Sequence, residues 1–400
     1  MLHKLRENVE IILPEQGLQE KIQQASDENR PLTIKLGFDP TSADLHLGHA
    51  VVLKKIRQFQ DLGHHIVIVV GSFTARIGDP TGKNKSRIPL TIDEVEHNAQ
   101  TYIQQLSRII DVQKAKVVFN SDWLDQLCFS DIIQIISRVT VAQLLHRNDF
   151  NKRFTENSPI SMHELLYPIL QGYDSVHISC DIEMGGTDQL FNCTMGRQLQ
   201  ETYGKSPQIV LCMPLLKGTD GKEKMSKSLH NTIGLTDTPQ DMYGKTMSIP
   251  DSLIPEFIRL TTDFTPDKQQ ALFDRLAAGE NPMLIKKLIA MNLVTQYHDV
   301  AHAEKAQTFF EQQFQRKSFF EKHFKAVKSA SVLTESNSIS LLDLCVKLQT
   351  DKSKSAIRRL IEGGAVEIDQ RKHQNPEMCI SPTTGMKIRI GKQGYFELVD

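Results

Sequence analysis

Ile66-Val67-Ile68-Val69-Val70 is a continuous β-branched run, the pattern of a strand buried on both faces of a parallel sheet. The residues before it restrict the fold further. Residues 32–38, Leu-Thr-Ile-Lys-Leu-Gly-Phe, read as another strand, and Asp39-Pro40-Thr41-Ser42 as a turn. Val52, Leu53, Ile56, Phe59 and Leu62 then recur at helical spacing until Gly63 stops the helix, with Ser42 or Asp44 as its cap. Residues 115–119, roughly 175–183 and 208–213 are further strand candidates, separated by helical stretches. The alternation predicts an α/β fold, with a Rossmann-like doubly wound parallel sheet over residues 1-235.

Beyond that point the strand signals fade. Over 236-325, segments such as Met283 to Tyr297 and Ala301 to Phe314 read as helices, which predicts an α-helical domain. Residues 326-338 are small and polar, as in a linker. Over 339-400 one helix starts at Leu341 and another near Ser353. Short β-type segments follow at Ala365 to Ile368, Lys387 to Ile390 and Tyr395 to Val399, a small α+β domain. Four hundred residues suit two or three such domains.

Net charge is −1, so the whole chain is no general polyanion binder and any nucleic-acid contact must come from local patches. No run of about 18 apolar residues is present, which speaks against a membrane span. Lys4, Arg6, Glu7 and Glu10 break up the start, unlike a secretion signal. The six cysteines contain no Cys-x-x-Cys pair, so free thiols in a reducing cytoplasm are expected rather than disulfides or zinc.

Two short strings carry the chemistry. In His46-Leu47-Gly48-His49 the two histidines share a face at the first turn of a helix, where backbone N–H groups and the helix dipole favour an anion. Gly48 removes a side chain where a flat base can lie against the backbone. In Lys224-Met225-Ser226-Lys227-Ser228, on a Gly-containing loop, two ammonium groups can close over a triphosphate and neutralise charge as pyrophosphate leaves. A third basic cluster, Lys83, Lys85 and Arg87, follows Gly78-Asp79-Pro80-Thr81-Gly82. Each string alone also reads as surface histidines or a solvated basic loop; together they point to a nucleotide triphosphate. Two more stretches suggest a small polar substrate beside it. Tyr167, Gln171 and Asp174 fall on one helical face, offering a phenol, an amide and a carboxylate. Gly185-Gly186-Thr187-Asp188-Gln189 follows a strand and opens a helix, so its glycines permit close approach of a ribose and Asp188 can accept from its hydroxyls.

In this order and spacing, the motifs resemble the class I aminoacyl-tRNA synthetases, and with the last two stretches they closely resemble the tyrosyl-tRNA synthetases over nearly the whole chain. The resemblance implies attack by an amino-acid carboxylate on the α-phosphate of ATP, then transfer to tRNA(Tyr). No protein nucleophile is needed, and catalysis rests on positioning and charge stabilisation. It implies that Asp79, Tyr167 and Gln171 hold the α-amino group of L-tyrosine, Asp174 accepts its phenol hydroxyl, and Gln189 approaches its carboxylate. Gly37, Asp39, Gly48, Gly186 and Asp188 are then the adenylate contacts. Thr41, His46, His49, Lys83, Arg87, Lys224 and Lys227 handle the phosphates. Mg²⁺ is expected on ATP and not in a protein cage; no metal-ligand cluster is read from the sequence, and His163-Glu164 does not form His-Glu-x-x-His. One departure stands out. The common bacterial form has Tyr two residues before the Gly of Gly-Phe-Asp-Pro, where this chain has Lys35, a change the shorter bacterial subtype tolerates. Lys35 either changes how the phenol is held or points to the other strand face.

The carboxy-terminal segment resembles the S-four RNA-binding domain, on Leu341-Leu342-Asp343-Leu344 and Ser353 to Val366. Lys352, Lys354, Arg358 and Arg359 make a basic helix end suited to phosphates; a solvated charged helix is the alternative on composition alone. A homodimer is implied by the family. Competing readings are a tryptophanyl-tRNA synthetase, an RNA-binding protein that has lost catalysis, and an adenylyltransferase for another small acid. Asp174 with Gly-Gly-Thr-Asp-Gln, the intact histidines and lysines, and the RNA module argue against them in turn.

Overall fold

The computed structural model describes residues 2–40, 44–80, 91–312, 324–329, 332, 338–349, 352–369, 371–391 and 394–399, leaving the side chains of Ile92 and Glu96 undescribed. The chain divides into two compact units, Met1–Gln307 and Thr308–Asp400.

The first unit is built on six strands: β1 (Ile11–Leu13), β2 (Thr33–Phe38), β3 (His65–Val70), β4 (Ala115–Phe119), β5 (Ile182–Gly186) and β6 (Ile209–Met213). Their order is β1-β6-β5-β2-β3-β4, parallel from β6 to β4, with β1 antiparallel on the edge. From Ile66 to Val70 every side chain of β3 is buried, as its unbroken apolar run requires. The chain winds outward from β2 through β3 to β4, then returns to the opposite side of β2 to lay down β5 and β6. The β2–β5 junction is therefore the switch point of the sheet, and a crevice opens there at the carboxyl ends of the strands. Gly37-Phe38-Asp39 and Gly185-Gly186 end the two strands that flank it.

Two expectations need correction. The helix after β2 runs Leu47–Asp61 and is capped by His46, whose ring accepts from the Gly48 N–H; neither Ser42 nor Asp44 is the cap, and Ser42 lies outside the described residues. The strand expected at roughly 175–183 is mostly the end of helix Met162–Ile178, closed by Ser179 in the left-handed conformation, and β5 starts only at Ile182. Val176, Ile178, Cys180 and Ile182 alternate with polar residues, so a helix end and a strand start imitate one strand of period two.

Helices Pro239–Ser248, Ile254–Thr261, Pro266–Ala277 and Pro282–Tyr297 follow the sheet and belong to the first unit. Each carries a proline in its first turn, where the N–H has no helical partner: Pro239, Pro255, Pro266 and Pro282. Among the described residues no helix is long and apolar enough to cross a membrane.

In the second unit β7 (Lys325–Lys328), β8 (Ile339–Ser340), β9 (Val366–Ile368), β10 (Arg371–His373), β11 (Cys379–Ile380), β12 (Lys387–Ile390) and β13 (Gly394–Val399) form a five-stranded sheet, β10-β9-β12-β13-β7, and a β11-β8 pair. Helices Leu341–Leu348 and Lys354–Glu362 bury Leu341, Leu344, Ile357 and Ile361 with Val366, Ile388, Ile390 and Leu398. The start of the expected linker is a strand, because Lys325–Lys328 pairs in parallel with β13; residues 330, 331 and 333–337 lie outside the described part.

Candidate functional site

Asp174 lies on helix Met162–Ile178 with its carboxylate buried at 2% exposure. Trp123 Nε1 donates to one oxygen at 2.9 Å and Asn120 Nδ2 to the other at 3.2 Å. Asn120 Nδ2 also reaches Thr74 Oγ1 at 3.2 Å, and Thr74 Oγ1 donates to Asp39 Oδ1 at 2.7 Å. The other Asp39 oxygen accepts from the Tyr167 hydroxyl at 2.8 Å. A hydrogen-bonded chain thus links Asp174 to the carboxyl end of β2 and back to its own helix. Burial pushes the Asp174 carboxyl up to about 7, against the pull of Lys35, Asn120 and Trp123. The acid is poised near neutrality and is held in one orientation by two neutral donors.

Asp79 forms the next cluster. Gln189 Nε2 donates to its Oδ2 at 3.0 Å, and Arg147 lies 3.5 Å from its Oδ1. Arg147 is itself buried, bonded to Asn192 and paired with Asp149 at 2.8 Å, while Asn192 donates to Gln189 at 2.9 Å. Lys35 sits beneath the helix, fully buried, with its ammonium on the Gln171 carbonyl (3.1 Å), Ser175 Oγ (2.8 Å) and Glu183 (2.8 Å). Of the two placements open from sequence, it takes the face that carries Gln171 and Asp174.

On the other rim, the His46 and His49 rings lie against each other with centroids 3.9 Å apart and planes tilted by 41°. His46 Nδ1 accepts from the Gly48 N–H and His49 Nδ1 from the His46 N–H, both at 3.2 Å. Burial, then the neighbouring His49, Lys227 and Lys224, depress the His46 imidazole far below its usual range. Burial and the two lysines depress His49 to about 4. Neutral rings that accept at Nδ1 carry their proton at Nε2, so each offers an Nε2–H donor. Here the sequence expectation changes. The helix-start N–H groups of His46 and Gly48 are taken by the imidazoles, and that of Leu47 by Ile233. Anion recognition at this turn therefore falls to the rings. A Cβ on Gly48 would lie 3.0 Å from the His46 ring, so the glycine also makes room for the histidine. Gly37, by contrast, faces open space at the end of β2.

The lysine loop spans the crevice. Lys224 reaches Asp188, just past β5, at 2.6 Å, and Lys227 reaches Asp44, just before the histidine turn, at 3.0 Å. Buried Asn231 shapes the loop: it accepts from the Ser226 N–H (2.8 Å) and donates to Asp220 (2.9 Å) and the Lys224 carbonyl (3.2 Å). Asp39, Gly186, Asp188 and Gln189 all lie at the β2–β5 switch point. Thr41, Lys83 and Arg87 lie outside the described residues.

Sequence reading missed Thr74, Asn120, Trp123, Arg147 and Asn231, and took Asp44 only for a helix cap. Trp123 is the sole tryptophan of the chain, yet no spacing ties it to Asp174. Of the basic residues expected to meet RNA, Lys354 pairs with Asp343 at 2.8 Å and Arg358 with Glu377 at 2.6 Å. Arg359 is exposed on the same helix, and Lys352 precedes its Ser353 cap.

Residues 27–315 match the family model for tRNA synthetases class I (W and Y). A tyrosine–tRNA ligase 2 of Photorhabdus laumondii is 51% identical over 397 residues, covering 99% of this chain and 98% of its own. A tyrosine–tRNA ligase of Carboxydothermus hydrogenoformans is 44% identical, covering 100% of this chain and 97% of its own. Among solved structures, the Archaeoglobus fulgidus tyrosyl-tRNA synthetase complexed with L-tyrosine superposes with a TM-score of 0.60 at 21% identity, over 76% of this chain and 99% of that one, a likeness of fold.

Proposed function

The chain belongs to the class I tRNA synthetases for tryptophan and tyrosine, and from that premise we propose how its residues perform their reaction. That reaction is the tyrosine–tRNA ligase reaction: L-tyrosine and ATP give tyrosyl-adenylate and pyrophosphate, and tyrosine then passes to the 3′-terminal adenosine of tRNA(Tyr). The observation that carries the pocket assignment is the buried Asp174 carboxylate, joined through Asn120, Thr74 and Asp39 to Tyr167 at the switch point of the sheet.

Asp174 accepts the phenol proton of the substrate. Asp79, Tyr167 and Gln171 take its α-ammonium, and Gln189 approaches its carboxylate. Gly37 leaves room for the adenylate beside Asp39, Gly48, Gly186 and Asp188. The Nε2–H groups of His46 and His49 donate to phosphate oxygens, and Lys224 and Lys227 exchange their aspartates for the departing pyrophosphate; Thr41, Lys83 and Arg87 share the phosphate role by the family resemblance alone. Mg²⁺ travels on ATP, whose phosphate oxygens match its preference for hard ligands. The test is ATP–pyrophosphate exchange with tyrosine, tryptophan and phenylalanine. Tyrosine alone is expected to support rapid exchange; equal exchange with phenylalanine would sink the pocket assignment.

The finer division into 1-235, 236-325 and 339-400 is part of this proposal, with the segment 326-338 between the last two beginning inside β7 rather than as a linker, and with tRNA(Tyr) meeting Lys352, Lys354, Arg358 and Arg359. Two of those cations are paired to exposed acids, and such surface pairs are weak enough to be traded for RNA phosphates. Removing residues 339-400 is expected to impair tRNA charging while leaving pyrophosphate exchange intact, and equal loss in both assays would reject the division of labour. We further propose a cytoplasmic homodimer. Phe129, Ile133, Val141, Phe154 and Met162 are all exposed within one stretch of the first unit, an apolar set that suits a self-complementary contact. Sedimentation at the monomer mass would refute it.

A further inference from the structure

Lys35 and Glu183 are cross-strand partners in β2 and β5, and their side chains are 0% and 1% exposed. Removing either member of a pair so far from water leaves an uncompensated buried charge, so the two act as a unit. The Lys35 ammonium spans the turn of helix that carries the substrate-facing residues. It bonds the Gln171 carbonyl and the Ser175 hydroxyl, which bracket Asp174. Ser175 Oγ donates in turn to Glu183 at 3.1 Å, and Gln208 Nε2 also donates to Glu183. The pair is therefore tied to the helix, to two strands and to the residue just before β6.

We propose that the Lys35–Glu183 pair is a positioning and specificity element of the tyrosine pocket: Lys35 fastens the turn bearing Gln171 and Asp174, and its charge, offset by Glu183, holds the Asp174 carboxylate ready to accept the phenol proton. The inference rests on the pocket assignment above and deepens it. The groups facing Asp174 agree with it. Asn120 and Trp123 approach as neutral donors, with His177 stacked on Trp123 at 4.5 Å. Asp39 lies beyond Thr74 and Asn120, and the Cys180 thiol is pushed up by burial and so is uncharged. Lys35 is the principal positive charge acting on the acid, and Glu183 works against it. Burial opposes the charge on Lys35, but Glu183 and Asp174 together raise its ammonium above the ordinary range.

The two members should thus act on the same pH profile in opposite directions. An ionised Asp174 is required, so kcat/KM for tyrosine falls on the acid side. Lys35→Met removes a stabilising positive charge, and the acid limb is expected to move to higher pH by roughly one unit or more. Glu183→Gln removes an opposing negative charge, and the limb is expected to move to lower pH. Phenylalanine, which brings no ring oxygen, should show no acid-side fall in any of the variants, and the KM for ATP should not change. Should Lys35→Met fail to fold, Glu183→Gln keeps the shape and decides alone. Acid limbs that coincide with that of the unaltered chain, or move in the same direction, would overturn the inference. A tyrosine profile indifferent to Asp174→Asn would instead remove the pocket assignment beneath it.

Discussion

Asp174→Ala is expected to lower kcat/KM for tyrosine in pyrophosphate exchange by roughly 10- to 100-fold while leaving phenylalanine no worse a substrate. The estimate follows from a hydrogen bond to a charged, water-excluded acceptor, about 1.5–3 kcal/mol, with every 1.4 kcal/mol a factor of ten. The asymmetry between substrates matters more than the size of the loss. With tyrosine bound, the buried carboxylate gains an acidic O–H donor. With phenylalanine, the same carboxylate stays buried with only Trp123 and Asn120 as donors, and the ring brings nothing in exchange. Removing the acid abolishes the reward for one ligand and the penalty for the other, so discrimination collapses from both sides. Asp174→Asn is no gentler, because Trp123 and Asn120 donate to different oxygens of the carboxylate, and an amide in the same pose turns its NH2 on one of those N–H groups. A variant with its tyrosine–phenylalanine ratio intact would show that the phenol is recognised elsewhere.

The sequence made some parts of this site legible and hid others for physical reasons. Helical spacing alone put Tyr167, Gln171 and Asp174 on one face, because residues three and four apart must share one. The β-branched run of β3 could hardly be anything but an interior strand, and the glycines ending β2 and β5 marked the crevice. The surroundings of Asp174 were hidden, since Thr74 and the turn from Asn120 to Trp123 lie far from it in sequence and only the folded sheet brings them together. Arg147 was invisible for the same reason: it reaches Asp79 and Asn192 from a helical stretch with no motif of its own. The histidine turn misled in a subtler way. Its position at a helix start was right, but the rings cap the helix themselves, which spacing cannot distinguish from leaving the N–H groups free for an anion. Lys35 was legible only as an anomaly, and its partner Glu183 emerged once the register of β2 against β5 was known.

Lys224→Ala and Lys227→Ala are each expected to reduce kcat for adenylate formation by roughly 100- to 1000-fold, with the KM for tyrosine hardly changed. Removing one group aimed at charge that develops in the transition state typically has that effect. The resting contacts explain why binding should be spared. Lys224 is 44% exposed and Lys227 32%, and pairs of this kind contribute about 0–1 kcal/mol. The loop is therefore held across the crevice by contacts weak enough to be exchanged once a triphosphate with several negative charges enters. The loop itself is not slack, because Asn231 fixes the backbone at both Lys224 and Ser226, so the two ammonium groups arrive already spaced. Both lysines answer to the same pyrophosphate, so the double substitution should lose less than the product of the single losses. Single-turnover formation of adenylate separates this from slow product release. If the single variants kept their kcat and lost only affinity for ATP, the lysines would hold the ground state, and the transition-state charge would have to be met by His46, His49 and the basic cluster after Gly82.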